Sequence, residues 1–306
     1  MTETVSGDET EVTRAHRSLW VDVWLQFRTH TGALIGVGVF GFIVLAVAFG
    51  PYIHDLDPTY LDIRARNQNP SWAHPFGTDN VGRDMLAQVL AGGRISMAVG
   101  MTAMLLSLVV GALIGVIAGY FNKLDGPLMR FTDLFLALPL LPLLLVIIML
   151  FRDTLRNMFG PEVGIFLLVV FVIGITSWMQ TARIVRGDVL ALKEREFVLA
   201  ARSIGTRHRR VITRHMLPNV LSPIMVSATL GIANAIITES ALSFLGLGFP
   251  SDFPTWGRLL FDGANFMTIT PSRVLWPGLA ISLTVLSVNY MGDGLRDALD
   301  PRIRGR

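Results

Sequence analysis

Apolar residues in this 306-residue chain are concentrated in long stretches, and charged residues fall mainly between these stretches. Six stretches are free of charge, or nearly so, at the length of about 20 residues that a helix needs to cross a bilayer. They cover residues 33–53, 95–120, 134–150, 163–179, 220–245 and 274–291. The pattern predicts an all-α polytopic membrane protein with six transmembrane helices. Pro139 and Pro142 predict a kink in the third, since proline removes a backbone donor.

The composition agrees with a membrane protein. Hydrophobic residues make up 52% of the chain and charged residues only 16%, whereas soluble domains carry about 25% charged residues. The chain has no cysteine, which excludes disulfides and cysteine metal sites. Residues 1–32 are polar and the first apolar stretch is long, so we expect that stretch to stay in the membrane rather than act as a cleaved signal.

The distribution of basic residues predicts the orientation. With the N-terminus inside, 18 of the 26 Lys and Arg residues lie in cytoplasmic segments, which satisfies the positive-inside rule. The resulting organisation is a cytoplasmic N-terminal segment (1–32), a first transmembrane helix (33–53) and an extracytoplasmic loop (54–94). A transmembrane core (95–293) with a basic cytoplasmic insert (184–218) and a cytoplasmic tail (294–306) follow. Both termini are therefore expected in the cytoplasm.

The insert carries helical patterns on both sides of a glycine. The first pattern places four apolar residues on one face, namely Leu190, Phe197, Ala201 and Ile204. Gly205 then predicts a sharp turn, because glycine tolerates positive φ. A second short apolar face contains Val211, Ile212 and His215, and Pro218 marks the return to the membrane. Two bent helices suit a groove in a partner protein, whereas nine basic residues equally suit an interfacial helix on anionic lipid.

Several motifs resemble one family of membrane proteins. Ala200-Ala201, Gly205 and Leu217-Pro218 resemble the cytoplasmic loop of binding-protein-dependent ABC importer permeases. Four further motifs resemble the second permease of the dipeptide/oligopeptide/nickel group; they begin at His74, Arg214, Ser243 and Gly292. The resemblance covers roughly residues 29–304. It implies a type I importer fold with a cytoplasmic coupling-helix insert, in the cytoplasmic (inner) membrane of a bacterium or archaeon.

The resemblance also implies partners and contact residues. The partners are a homologous permease, two ABC ATPase subunits that hold ATP and Mg²⁺, an extracytoplasmic substrate-binding protein and the lipid bilayer; nucleic acid is not expected. The ATPase-coupling residues would be Glu196, Phe197, Ala200, Ala201, Arg202 and Gly205. The family usually has Glu directly before the Ala pair, where this chain has Leu199, so Glu196 is the candidate for the acidic contact.

The fifth apolar stretch carries small and polar residues at spacings of three and four. They are Ser227, Gly231, Asn234, Thr238 and Ala241. Such a stripe faces protein or water rather than lipid, so it either lines a translocation path or makes interhelical hydrogen bonds. Glu239 lies about 28 Å along this helix from residue 220, which predicts a place near the outer interface, where its carboxylate can reach water. Glu239 is therefore a candidate for the translocation path together with Ser227, Asn234 and Thr238. A structural or gate-neighbouring role there competes with a mid-membrane proton site.

Two further patterns each allow two interpretations. The second stretch has a small residue at every fourth position, from Ala103 to Gly119, which predicts close helix packing inside the bundle or at a subunit seam. The outer loop contains His54, His74, Asp79, Arg83 and Asp84. A folded turn ordered by Gly77 and Gly82, packed on the pore mouth or a partner, fits this loop better than a metal site does.

The sequence contains no nucleotide-binding loop of the Gly-x-x-x-x-Gly-Lys-Ser/Thr type and no common hydrolase motif. We therefore expect no cofactor in this chain and no enzyme activity. The alternative function is a secondary transporter driven by an ion gradient, which typically shows inverted repeats and mid-membrane charges. A membrane scaffold without transport would not need the polar stripe. Peptides, nickel, opines, glutathione and oligosaccharides all remain open as substrates.

Overall fold

The computed structural model describes residues 19–299, which fold into helices joined by short turns and one long outer loop. Its α-helices are α1 (Leu19–Thr29), α2 (Thr31–Ile53), α3 (Met85–Tyr120), α4 (Asn122–Ala137), α5 (Leu140–Phe159), α6 (Pro161–Lys193), α7 (Glu196–Ser203), α8 (His208–Val211), α9 (Leu217–Phe244), α10 (Trp256–Ala264) and α11 (Ser272–Leu299). A 3₁₀ turn covers Ile63–Ala65 and a π-helical segment covers Ile212–Met216. The basic residues Arg14, Arg17, Arg302, Arg304 and Arg306 lie outside the described residues.

Five helical segments within residues 19–299 are long and apolar enough to cross a membrane. They are α2, α3, α6, the continuous segment His208–Phe244 and α11. A sixth crossing requires α4 and α5 together, and these two helices meet at an angle of 87°. The all-α fold with up to six spans is thus confirmed.

The third predicted span, residues 134–150, is broken rather than kinked. Helix α4 ends at Ala137, and Leu138 before Pro139 is extended, with ψ of 139°, because the proline ring disfavours a helical conformation in the preceding residue. Pro142 causes no second break, since it lies in the first turn of α5. Backbone amides in the first turn of a helix make no intrahelical hydrogen bond, so the amide hydrogen that proline lacks is not needed there. Helix α5 then continues to Phe159, well past residue 150.

The outer loop is organised around Asp84. Its carboxylate accepts hydrogen bonds from the backbone of Ala87 (2.7 Å), which caps α3, and contacts the rings of His54 and His74 (2.9 Å each). Because of this cap, α3 begins at Met85 rather than at 95. Gly82 has φ of +86°, and a Cβ there would overlap the backbone of Asp62. The loop is therefore a folded unit, and the described residues hold no group of three side chains arranged to bind a metal.

The predicted insert is shorter in the structure than residues 184–218. Helix α6 continues without interruption to Lys193, and α8, the π-helical segment and α9 form one continuous segment from His208. The first predicted short helix exists as α7, whereas the second is an extension of α9. The π-helical segment ends just before Leu217-Pro218, and such a widened turn accommodates a proline without breaking the helix.

The small residues of α3 face α6, inside the bundle. A Cβ on Gly115 would lie 2.6 Å from the carbonyl oxygen of Ala182 and 2.8 Å from Cβ of Val185. Gly111 and Gly119 meet Thr181 and Val189 at similar distances. We call this contact, formed by Gly111, Gly115 and Gly119 on α3, the seam. It favours packing inside the bundle over packing at a subunit interface as the role of the small face. Close approach of the two backbones gives dispersion contacts.

The seam predicts a strong effect of one added side chain. Replacing Gly115 by Val places two methyl groups where there is no space, and overpacking of this kind costs about 1–3 kcal/mol. We expect the Tm of the purified variant to fall by several degrees. The control is Gly38→Val, because nothing lies within 4 Å of a Cβ at Gly38. Equal Tm values for the two variants would contradict the tight seam.

Candidate functional site

A cavity of about 380 Å³ lies between α3, the α4–α5 bend, α6 and α9. The residues of α9 on its wall are Ser227, Leu230, Gly231, Asn234, Ile237 and Thr238. The residues of α6 are Thr176, Ser177, Met179, Gln180, Thr181 and Ile184. The cavity is therefore walled by apolar side chains with hydroxyl and amide groups set among them, as is common for small-molecule sites.

The polar stripe predicted on α9 lies largely along this cavity. Ser227, Asn234 and Thr238 are on the wall, whereas Ala241 is not among the lining residues. Ser227 and Thr181 share a hydrogen bond of 3.0 Å, and the Thr238 hydroxyl donates to the carbonyl oxygen of Asn234 at 2.8 Å. The Ser227 hydroxyl thus makes an interhelical hydrogen bond, as one interpretation of the stripe predicts. The Asn234 side chain is exposed, and the other interpretation, that the stripe lines a translocation path, stays a prediction.

The polar contribution of α6 to the cavity escaped the sequence reasoning. Thr176 and Ser177 lie at the end of the fourth apolar stretch, Gln180 and Thr181 follow it directly, and Gln180 is exposed. The signal was present as a run of hydroxyl and amide residues at the end of an apolar segment. It was missed because that end was interpreted as the boundary of the membrane span.

Glu239 does not line the cavity, and its side chain does not reach water, so this part of the prediction is wrong. It is completely buried. Its carboxylate accepts hydrogen bonds from Ser243 (2.7 Å) and from Ser96 of α3 (3.0 Å). Ser96 also accepts from the backbone amide of Trp256, at the start of α10. The carboxylate therefore joins α9 to α3 and, through Ser96, to α10.

Helix α7 ends in the turn that Gly205 predicts. Gly205 has φ of +76°, and its amide donates to the carbonyl oxygen of Arg202 at 3.0 Å. The amide of Thr206 donates to the carbonyl oxygen of Ala201 at 3.1 Å. These two bonds form a Schellman motif, which requires a left-handed residue after the helix. The turn ends α7 and fixes the direction in which the chain leaves this helix.

The predicted common face of the insert is divided in the structure. Ala201 is buried, together with Val198, which packs in a cluster with Val189 and Val211. Phe197 and Ile204 remain exposed, at 44% and 83% of their surface. The expectation that Ala201 shares a docking face with them is therefore wrong. Ala201 and Val198 lie on the buried side of α7, which packs against the rest of the chain.

The other residues predicted for coupling also differ in surroundings. The guanidinium of Arg202 lies over the ring of Tyr120, 5.3 Å from its centre, so it packs on α3. Glu196 and Ala200 are exposed. Glu196 lies in the first turn of α7, where a carboxylate is favoured by the helix dipole. The outward surface of α7 and its C-cap residue Ile204 includes Glu196, Phe197, Leu199 and Ala200.

Family models match most of the chain. Residues 111–305 match the binding-protein-dependent transport system inner membrane component, and residues 18–70 match the N-terminal transmembrane domain of oligopeptide transport permease C.

Curated relatives match nearly the full length. The oligopeptide transport system permease protein OppC of Bacillus subtilis is 36% identical, over 98% of this chain and 95% of the relative. The dipeptide transport system permease protein DppC of Alkalihalophilus pseudofirmus is 37% identical, over 94% and 91%. The glutathione transport system permease protein GsiD of Pectobacterium atrosepticum is 36% identical, over 94% and 93%.

A solved structure has a similar fold. A chain of the MetNI methionine ABC transporter aligns with a TM-score of 0.55, over 71% of this chain and 98% of that chain, at 16% identity. Together with the family models, this similarity identifies the class: the chain is a permease component of an ABC transporter. It belongs to the family of binding-protein-dependent transport system inner membrane components.

The buried carboxylate predicts a graded mutational effect. Glu239→Leu leaves the hydroxyls of Ser96 and Ser243 without their acceptor, and each unsatisfied buried group costs about 1–3 kcal/mol. Glu239→Gln keeps one acceptor oxygen, so we expect its Tm to lie between those of wild type and Glu239→Leu. Glu162→Leu, at an exposed position in α6, serves as the control. Wild-type stability of Glu239→Leu would show that the network does not hold these helices together.

Proposed function

We propose that this chain is one permease subunit of an importer for peptides, and that its cavity forms half of the translocation path. The observation that carries the proposal is the cavity itself, whose wall combines the hydroxyls of Ser227 and Thr238 with the exposed amides of Asn234 and Gln180. Such groups accept from and donate to peptide bonds without fixing one side chain. Relatives named for oligopeptides, dipeptides and glutathione support a peptide solute over nickel, opines or oligosaccharides.

A homologous permease would supply the other half of the path. The cavity is open on one side, and Asn234 and Ile237 on its wall are exposed. In a membrane an exposed amide is costly unless it faces protein or water. A second subunit of the same fold would cover this side and enclose the path, while an extracytoplasmic binding protein would deliver the solute to it.

Two ATPase subunits, holding ATP and Mg²⁺, would supply the energy. The chain has no phosphate-binding loop, so no cofactor is assigned to it. The exposed apolar residues of α7 and its C-cap, which are Phe197, Leu199 and Ile204, are the groups that a partner's groove would bury. Helix α6 joins this surface to the cavity, because Thr181 on the cavity wall lies only about 18 Å along the axis from Lys193 at its end.

This proposal requires α7 in the cytoplasm and the outer loop outside. The turn region between α6 and α9 holds six arginine residues, which supports this orientation. The alternative, an ion-driven secondary transporter, has less support. Its natural ionisable group would be Glu239, but that carboxylate is sealed among hydroxyls and does not line the cavity.

Ile204→Ser tests the coupling surface. Burial of an isoleucine side chain contributes about 1.5–3 kcal/mol, and 1.4 kcal/mol corresponds to tenfold in affinity. We expect the variant to insert and fold normally, because Ile204 is 83% exposed, and to bind the ATPase subunits at least about tenfold more weakly. Transport should fall in parallel when expression levels are matched.

Ile63→Ser is the matched control, since Ile63 is 66% exposed on the outer loop. It should leave ATPase binding unchanged. Wild-type ATPase binding and transport by Ile204→Ser would contradict the assignment of α7 and would favour the alternative in which this surface lies on lipid.

A further inference from the structure

An open cavity of about 780 Å³ lies where the end of α3 meets the start of α4, the end of α6 and the segment from α7 to α8. Lys123, Lys193, Arg202 and His208 belong to its wall, and we call it the basic cavity. It shares no lining residue with the cavity between α6 and α9. The proposed function assigns no role to it.

The wall of the basic cavity carries an excess of positive charge. Its side chains include three cations, Lys123, Lys193 and Arg202, against one carboxylate, that of Glu194. Within residues 19–299, none of these four side chains forms an ion pair. Lys193 is only 7% exposed, and its ammonium donates to Oδ1 of the neutral Asn122. A buried cation without a counter-ion is costly, so the cavity favours an anion.

Arg202 offers donors that an occupant can reach. Its guanidinium lies over the ring of Tyr120, 5.3 Å from the ring centre, and the Tyr120 hydroxyl shares a hydrogen bond of 2.7 Å with Nδ1 of His208. Among the described residues the guanidinium has no acceptor, yet none of its nitrogens is sealed from the surface. Stacking therefore holds the side chain while its donors stay free. Lys123, in the first turn of α4, is exposed and adds a second reachable cation.

The basic cavity lies at the level of the lipid headgroups. Helix α3 carries no charged residue after Arg94, and the next charge along the chain is that of Lys123. Arg94 and Tyr120 are about 39 Å apart along the helix axis, close to the thickness of about 40–45 Å of a bilayer with its headgroups. Tyrosine is enriched at this level, because its ring is apolar and its hydroxyl is polar. The end of α3 therefore lies among headgroups, whichever side is cytoplasmic.

The cavity lies behind α7, away from the outward surface proposed for the ATPase subunits. Arg202 follows the buried Val198 by about one helical turn, and it packs on α3 rather than pointing outward. Apolar side chains lie beside the cations. Leu124 in the first turn of α4 is 44% exposed, and Leu190 of α6 also lines the cavity. An anion that carries an apolar part fits this wall better than a small inorganic ion does.

We propose that the basic cavity binds the phosphodiester of an anionic phospholipid, of which phosphatidylglycerol is the simplest example. The guanidinium of Arg202 and the ammonium of Lys123 hold the phosphate oxygens through charge-assisted hydrogen bonds. Leu124 and Leu190 contact the apolar part of the lipid. Basic pockets between transmembrane helices are suited to anionic headgroups. A lipid bound there joins α7 to α4 and so stabilises the position of α7.

Thermal unfolding of the delipidated, purified full-length chain in detergent tests the site. Phosphatidylglycerol is added in one series, and zwitterionic phosphatidylcholine with the same acyl chains is added in the other. A ligand that binds only the folded state raises Tm. We expect a saturable rise of a few degrees with phosphatidylglycerol and no such rise with phosphatidylcholine.

Lys123→Gln and, separately, Arg202→Gln each remove one of the two reachable cations. A basic residue beside an anionic lipid contributes about fivefold in affinity, so each variant should need about fivefold more phosphatidylglycerol for half of the rise. Arg209→Gln is the matched control. It removes the same charge from an exposed position on α8 that does not line the cavity, and it should leave that amount unchanged.

Inorganic phosphate, exchanged for chloride at equal ionic strength, distinguishes a free anion from a lipid. A saturable rise with phosphatidylglycerol alone supports the proposal, whereas an equal rise with inorganic phosphate identifies a soluble ligand and overturns it. The absence of a rise with phosphatidylglycerol, or a response that Arg209→Gln weakens as much as the two cavity variants do, also overturns it. The assay contains neither ATPase nor solute, so its failure leaves the proposed function standing.

Discussion

The close contact between α3 and α6 is the constraint on which the rest of this structure depends. Gly111, Gly115 and Gly119 leave no space for a side chain between the two helices, and packed interfaces of this kind shift as units rather than deform continuously. Helix α6 contributes six residues near its middle to the cavity wall and is the helix that precedes α7. A movement imposed on α7 would therefore reach the cavity through a helix pair that cannot easily bend.

A polar network and an apolar cluster fix two ends of this assembly. At one end, Glu239 accepts hydrogen bonds from α3 and α9, so the helix that carries the polar stripe is tied to the glycine-bearing helix. At the other end, Val198 and Ala201 of α7 are buried while Phe197 and Ile204 stay exposed, and the Schellman turn at Gly205 ends the helix. The exposed surface of α7 is thus small and firmly presented, as a docking element requires.

The sequence predicted the features that depend on local pattern. Apolar length located the spans, spacings of three and four placed Ser227, Asn234 and Thr238 on one helical face, and Gly205 marked a turn with positive φ. It missed features that depend on distant residues. Ala201 is buried together with Val198, which packs in one cluster with Val189 of α6 and Val220 of α9. Glu239 is buried where a hydroxyl from another helix, that of Ser96 on α3, donates to it. Helix ends beyond the bilayer, such as Met85, follow from capping rather than from hydropathy.

Cysteine labelling in intact cells tests the central claim most directly, namely that α7 lies where cytoplasmic ATPase subunits can reach it. The chain has no cysteine, so Ser203→Cys in α7 and Asn69→Cys in the outer loop, both at exposed positions, report cleanly. A membrane-impermeant maleimide should label Asn69→Cys from outside and should label Ser203→Cys only after the cells are opened. Labelling of Ser203→Cys from outside would contradict the account.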